Sequence, residues 1–378
     1  MKNYKSILLI AFCLLISCNK KTVEKQENAG IIKVNENISQ KKILYSTLFD
    51  SLKYVALKTS DDILIKELTK IKYFNGIIYI LDKGTQTLFA FDMNGELIWK
   101  IHNMGSGPKE YYQLVDFDID EENRELLLFS RYDKIQVYGL DGNFIEEWNI
   151  PLIGSSFATC ENLIYIYTGG RSNFINNENG KYNLLFLHNK NILKGELPFK
   201  KELESAMIYN SPNSFCKYDN ETRFFMPFSN NIYSIKGDSI SIKYRFDFGK
   251  YNLPDDYFNN HTTDDLAESR YAYGLNSYWE NWKYCCFNIT LNKQYCEILY
   301  LKTKKIVYKC NIYDDIAYCF PQFFEATDDY ILGARYAEDL FTEYNNSKEA
   351  KKGTILEKIV FKITEDDNPV IFFCYFKK

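Results

Sequence analysis

At 378 residues, with 46% hydrophobic and 25% charged side chains, the chain is too apolar to remain disordered and long enough for one large or two ordinary domains. Its net charge of −4, with no block of Lys or Arg, excludes the basic footprint of a nucleic-acid binder. Three histidines and no Cys-x-x-Cys pair argue against a zinc site.

The first element is residues 1–17. Lys2 and Lys5 precede an apolar run from Ile7 to Ile16, which is half the ~20 residues that a membrane-spanning helix needs. Leu15-Ile16-Ser17-Cys18 resembles the lipobox of bacterial lipoproteins. That resemblance implies cleavage before Cys18, acylation of Cys18 with palmitate-type chains, and a place in the bacterial cell envelope. An uncleaved anchor helix and a plain secretory signal are the alternatives. Asn19 follows Cys18, so an Asp retention signal is absent, as is an early acidic cluster. Periplasmic and surface-facing positions both stay open, with a lean to the former.

Residues 18–42 are polar and lack apolar periodicity, and read as a flexible tether. Their Lys20, Lys21, Lys25, Lys41 and Lys42 solubilise it or brush anionic headgroups. The folded domain is expected to span 43–378.

A repeating phrase follows. Ile77–Asp82 and Leu88–Phe91 read as strands, and Asn94-Gly95 as a tight turn with positive φ at both residues, leading into Glu96–Ile101. Glu125–Ser130, Lys134–Tyr138, Asp141-Gly142 and Phe144–Trp148 repeat it. Gly95 and Gly142 lie 142 − 95 = 47 residues apart, close to the period of propeller repeats. Degraded copies cover 163–198, 223–248, 285–311 and 330–376, the last with Glu357–Ile363 as its middle strand. Six units of three or four strands predict an all-β fold, a six-bladed β-propeller. Leu52–Ala56 alternates and is expected to pair with the last unit and close the ring, removing open edges.

Two segments break the pattern. Residues 251–281 read as an excursion that starts like a helix at Leu253-Pro254, with acids after it. Residues 336–353 are charged and Asn-rich and read as a mobile surface loop. Long loops on a rigid propeller are where binding usually resides.

Gly105-Ser106-Gly107-Pro108-Lys109-Glu110-Tyr111 is followed by Asp116-Phe117-Asp118-Ile119-Asp120. Here the chain resembles the uncharacterised six-bladed β-propeller lipoproteins of bacteria, whose first inter-blade connection commonly reads G-x-G-P-G-E-Y and then D-F-x-I-D. Lys109 departs from that pattern, where the family often has Gly. The resemblance extends to Tyr54–Leu57, Phe91–Gly95 and Phe248-Gly249 before Leu253-Pro254. It implies the fold for nearly the whole chain and brings no catalytic residues with it.

The glycines do not make a phosphate loop, since neither a third glycine with a following helix nor Gly-Lys-Ser/Thr is present. Gly105 and Gly107 are expected to permit a tight bend stiffened by Pro108. Asp116, Asp118 and Asp120 lack the Gly and Glu of a calcium loop and read as the wet face of a strand. The enriched Tyr and Phe serve either as stacking platforms for sugars or as core. Of the eight cysteines beyond Cys13 and Cys18, Cys296 or Cys310 could pair with Cys285 or Cys286 across a hairpin, or all could be buried thiols.

No catalytic set, metal site or cofactor motif stands out. Four ligand-binding candidates remain: Glu110 and Tyr111, which could face the central funnel, and Arg131 and Tyr132 in a rim loop. The functional expectation is a membrane-anchored extracytoplasmic module that binds a glycan, peptide or envelope protein, and no nucleic acid. The alternative is a hydrolase or lyase acting on a polymer through the propeller channel.

Overall fold

The computed structural model describes residues 30–34, 40–131, 134–150, 152–169, 182–199, 213–351 and 353–378. Residues 1–17, which read as a signal sequence, and Cys18 lie outside these residues. The N-terminal segment supplies β1 (Gly30–Lys33), β2 (Lys41–Leu44), the single-turn helix α1 (Tyr45–Leu48) and β3 (Phe49–Ala56). Six antiparallel units follow. Blade 1 is β4 to β7 (Leu68–Phe74, Ile77–Asp82, Thr87–Phe91, Leu97–Ile101). Blade 2 is β8 to β11 (Leu114–Asp120, Glu125–Ser130, Lys134–Gly139, Phe144–Asn149). Blade 3 is β12 to β15 (Ser156–Cys160, Leu163–Tyr167, Tyr182–His188, Asn191–Pro198). Blade 4 is β16 to β19 (Phe215–Tyr218, Glu221–Phe224, Asn231–Lys236, Ser239–Asp247). After helix α2 (Thr263–Glu268) comes blade 5, β20 to β23 (Tyr273–Glu280, Tyr284–Leu291, Gln294–Leu301, Ile306–Tyr313). Blade 6 is β24 (Gln322–Ala326), β25 (Tyr330–Arg335) and, past helices α3 (Ala337–Asn346) and α4 (Ile355–Val360), β26 (Val370–Phe376).

β3 completes blade 6. It pairs antiparallel with β26, with Val55 opposite Ile371 and Leu52 opposite Cys374, so the ring closes between the two ends of the fold as expected. Asn368 locks this seam. Its side-chain oxygen accepts from the Ile65 N–H at 2.8 Å, and its amide donates to the carbonyls of Lys58 and Ile63 at 2.9 and 2.6 Å.

The long apolar runs that define the repeat have a simple cause. Each blade is covered on both faces, so both sets of alternating side chains must be apolar. In β9, Leu126 and Leu128 join the cluster shared with blade 1, while Leu127 and Phe129 join the one shared with blade 3. An apolar cluster fills each of the six seams between neighbouring blades. Most of the Tyr and Phe residues of the strands are spent there; Tyr79, Tyr138, Tyr165 and Phe186 are almost completely buried. All eight described cysteines are unpaired thiols, seven of them buried.

Four expectations change. The tether is shorter than 18–42, because β1 adds to β19 as a parallel fifth strand of blade 4 and β2 adds to β23 of blade 5. Ile32 and Val34 are buried against blades 4 and 5. The 251–281 excursion ends at Ala272, and Tyr273–Glu280 is the innermost strand of blade 5. Within it the helix begins later than Leu253-Pro254, at Thr262, which makes a reciprocal cap with Asp265. Residues 336–353 are not an irregular loop, since Ala337–Asn346 is helical and Leu340 and Ala350 are buried in the blade 5–6 seam. Glu357–Ile363 is not a strand. Thr354 accepts from the Glu357 N–H and caps α4, whose Leu356, Ile359 and Val360 share one face at helical spacing and enter the same seam.

The turns at Asn94-Gly95 and Asp141-Gly142 also differ in detail. In each of these two turns only the glycine, Gly95 or Gly142, has positive φ. Each closes a longer turn in which Asp92 or Asp141 accepts backbone N–H groups. A Cβ on Gly95 would overlap the Ala56 carbonyl of blade 6, and one on Gly142 would press on the Trp99 ring of blade 1. The repeated glycine therefore reports the approach of each turn to the preceding blade.

Candidate functional site

Because strands alternate in direction within each blade, connections between first and second and between third and fourth strands gather on one face of the disc. The remaining connections gather on the other. On the first face every connection is a turn of five residues or fewer. Among the described residues the longer ones, including 102–113, 248–272 and 336–369, emerge on the second.

The channel between these faces is lined by the innermost strands and filled by ion pairs. Lys70 lies 2.8 Å from Asp116, and Lys72 lies 2.6 Å from Asp118 and 3.2 Å from Glu325 of blade 6. Lys217 of blade 4 lies 3.7 Å from Asp118 and donates to the Ile119 carbonyl at 3.0 Å. Asp116 and Asp118 also accept from the Phe157 and Thr159 backbone N–H groups of blade 3, at 2.9 and 2.7 Å. The two acids are thus not the wet face of a strand; each is 1% exposed. One pocket beside these pairs, lined by Lys70, Lys72, Asp118, Lys217 and Glu325, holds about 20 Å³, room for about one water. Among the described residues no group of three His, Cys, Asp or Glu is arranged to hold a metal ion.

Burial alone would raise the Asp118 carboxyl, but Lys217 and Lys72 hold it well below the usual carboxylate range. A depressed folded value adds stability that is full above the unfolded value near ~3.9 and is lost as pH falls toward the folded one. The melting temperature should therefore drop as pH falls below about 5. Asp118→Asn should melt lower at neutral pH and fall less steeply with acid; parallel curves for the two proteins would remove this role.

A second buried network ties blade 4 to blade 5. Glu280, fully buried, accepts from Arg223 (2.7 Å), Tyr278 (2.8 Å), Tyr244 (2.7 Å) and Lys302 (2.8 Å). Arg223, also fully buried, reaches Glu221 and Ser234 at 2.7 Å each. Burial opposes ionisation of Glu280, but Arg223 and Lys302 hold its carboxyl below its ordinary value.

The candidates named from sequence do not converge. Tyr111 is buried between blades 1 and 2, its hydroxyl donating to the Gln86 carbonyl at 2.8 Å and accepting from the Asn103 N–H at 3.1 Å. It faces no funnel. Glu110 folds back on its own loop, accepting from the Gly107 N–H at 2.8 Å, and a Cβ at Gly105 would overlap its carboxylate. Both glycines thus make room for Glu110. Arg131 is exposed on the rim and donates to Gln113 at 3.2 Å; Tyr132 lies outside the described residues. Lys109 has φ +65°, the left-handed region that favours glycine. Lys109→Val should cost about 1–2 kcal/mol while Lys109→Gly is neutral or stabilising in urea unfolding. Equal losses for both would show that the side chain, not the backbone, matters there.

What the sequence reading missed is a cavity of about 290 Å³ on the face of long connections, in the seam between blades 3 and 4. Tyr167 and Asn183 reach it from blade 3, Tyr233 and Asn231 from blade 4. Phe228 comes from the 225–230 connection and Phe258 from the 248–272 excursion. Phe228 and Phe258 meet edge-on with ring centres 5.3 Å apart. The excursion is held in place by burial of Tyr257 and Leu266 and by the Ala272 N–H donating to the Tyr251 carbonyl at 2.7 Å. Burial raises the Tyr167 phenol above its ordinary value, so it stays a neutral hydroxyl.

Six blades in a ring closed by a strand from the other end of the fold define a six-bladed β-propeller. Ion pairs bridge its channel, and a cavity opens on one face. The chain belongs to the family described as "Domain of unknown function (DUF4934)", whose profile matches residues 29–375. A solved structure from Bacteroides fragilis, of a protein described as exported, is similar with a TM-score of 0.76 at 21% identity, covering 92% of this chain and 100% of that one. A DUF4221 member from Bacteroides vulgatus is similar with a TM-score of 0.51 at 11% identity, covering 87% and 97%. No curated protein matches the chain.

Proposed function

We propose that this propeller is a binding module of the bacterial cell envelope, held at the membrane by acyl chains on Cys18 and presenting its face of long connections to a ligand. One observation carries the reading: among the described residues the connections longer than a turn, and the cavity beside them, share one face, while the Gly30 end of β1 lies toward the other. β1 runs parallel to β19, which leads into the 248–272 excursion, so the Gly30 end of β1 points toward the face of short turns. An anchor at Cys18 then leaves the long-connection face turned outward. Eleven residues, Asn19 to Ala29, separate the two, a span of at most about 40 Å when extended. The B. fragilis relative described as exported supports the extracytoplasmic setting. The ion pairs of Lys70, Lys72 and Lys217 with Asp116 and Asp118 across the channel disfavour an enzyme working on a polymer threaded through it.

The proposal is tested in two parts. Labelling with an alkynyl palmitate analogue should mark the wild-type protein and not Cys18→Ala; equal labelling of both would remove the anchor. The chain lacking residues 1–18, applied to glycan and peptide arrays, should retain ligands of one class. Silence on both arrays, with turnover of a polysaccharide substrate instead, would overturn the binding role.

A further inference from the structure

Resting on that reading, we infer that the cavity between blades 3 and 4 is a carbohydrate site that takes a single neutral sugar ring. Three features of the wall point there.

The first is size. About 290 Å³ is room for about ten waters and sits at the lower limit of ligand pockets, about 300 Å³. It suits one ring or the end of a glycan, not a peptide segment.

The second is the pattern of aromatic and hydroxyl groups. Phe228 and Phe258 form an edge-on corner whose faces suit the C–H face of a pyranose. The polar groups beside it are uncharged and have capacity to spare. Tyr167, 2% exposed, brings its phenol to the cavity wall. Tyr233 accepts from the Asn231 amide at 3.3 Å and Ser229 accepts from the Asn231 N–H at 3.2 Å; each keeps its own proton to donate. Asn183 donates its amide to the Pro198 carbonyl at 3.3 Å and keeps its side-chain oxygen as an acceptor. A wall of hydroxyl donors and an amide acceptor matches a ligand that carries several hydroxyls of its own.

The third is charge. Among the described lining residues no Lys or Arg occurs, and the single carboxylate among them, Asp255, is exposed. That arrangement selects against anionic sugars and phosphates, and the site should discriminate neutral hexoses from uronic acids.

The test is isothermal titration of the chain lacking residues 1–18 with methyl glycosides of glucose, galactose, mannose and N-acetylglucosamine, and with glucuronic acid. One neutral glycoside should bind in the millimolar range, and glucuronic acid should not. Phe258→Ala should abolish that binding. Tyr167→Phe, which keeps the ring and the packing, should weaken it about five- to tenfold, the loss of roughly one hydrogen bond. Unchanged melting temperatures would show that both variants fold. Sugar binding that survives both substitutions would place the site elsewhere and overturn the inference while leaving the binding role intact. So would failure of every glycoside to bind a protein that retains peptides on an array. Failure of both ligand classes would overturn the two readings together.

Discussion

Glu280→Ala will destabilise the propeller by about 3–5 kcal/mol, the cost of leaving a buried ion pair half occupied. The carboxylate is fully buried and receives Arg223, Lys302, Tyr244 and Tyr278. Its removal strands the Arg223 guanidinium, which is itself fully buried, with Glu221 as its remaining carboxylate partner. Replacing a whole buried network with apolar groups can be neutral, whereas removing one partner exposes the desolvation cost of the others. Glu280→Gln should lose less, because its amide oxygen still accepts. Urea unfolding of the two variants checks this; a loss under 1 kcal/mol for the alanine variant would mean that water replaces the carboxylate and that the cluster is not a clamp.

A chain ending after β23 will lose cooperative unfolding altogether. Without blade 6, β3 has no partner, and the seams between blades 5 and 6 and between blades 6 and 1 lie open. Phe49, Leu299 and Cys310 on one side and Ile78, Ile80 and Phe89 on the other would then face water. Burial of each such side chain is worth about 1.5–3 kcal/mol, and a domain's whole margin is about 5–15 kcal/mol. Calorimetry should show a broad transition or none. A sharp melt near the wild-type temperature would show that the blades fold as separate domains.

The middle and outer strands were legible because each blade is apolar on both faces. Glu125–Ser130 and Ile77–Asp82 are near-continuous apolar runs bounded by turns, and the 47-residue offset between Gly95 and Gly142 follows from one turn packing on each preceding blade. The surroundings of the innermost strands were not legible. Lys70 and Lys72, Asp116 and Asp118, and Lys217 alternate with apolar residues just as a solvated strand does. Nothing local separates an acid facing water from one facing a lysine across a channel. The α4 segment was misread because Ile355, Leu356, Ile359 and Val360 carry β-branched residues in a short run, where strand and helix periods are hard to tell apart. β1 was missed because Ile31 and Ile32 are two apolar residues in a polar stretch, and their pairing with Arg245 and Phe246 is a contact more than two hundred residues away. The cavity could not be read at all, since Tyr167, Phe228 and Phe258 come together only when blades 3 and 4 and the 248–272 excursion pack.

The central claim, that this disc works through its face of long connections, is tested most directly by hydrogen–deuterium exchange. The chain lacking residues 1–18 would be compared free and saturated with the methyl glycoside or array peptide that it binds best. Slowed exchange should fall on 225–230 and 248–272, with the short turns at 75–76, 121–124, 161–162 and 219–220 unchanged. Protection confined to those short turns, or to the outer edge along β1 and β2, would contradict the account.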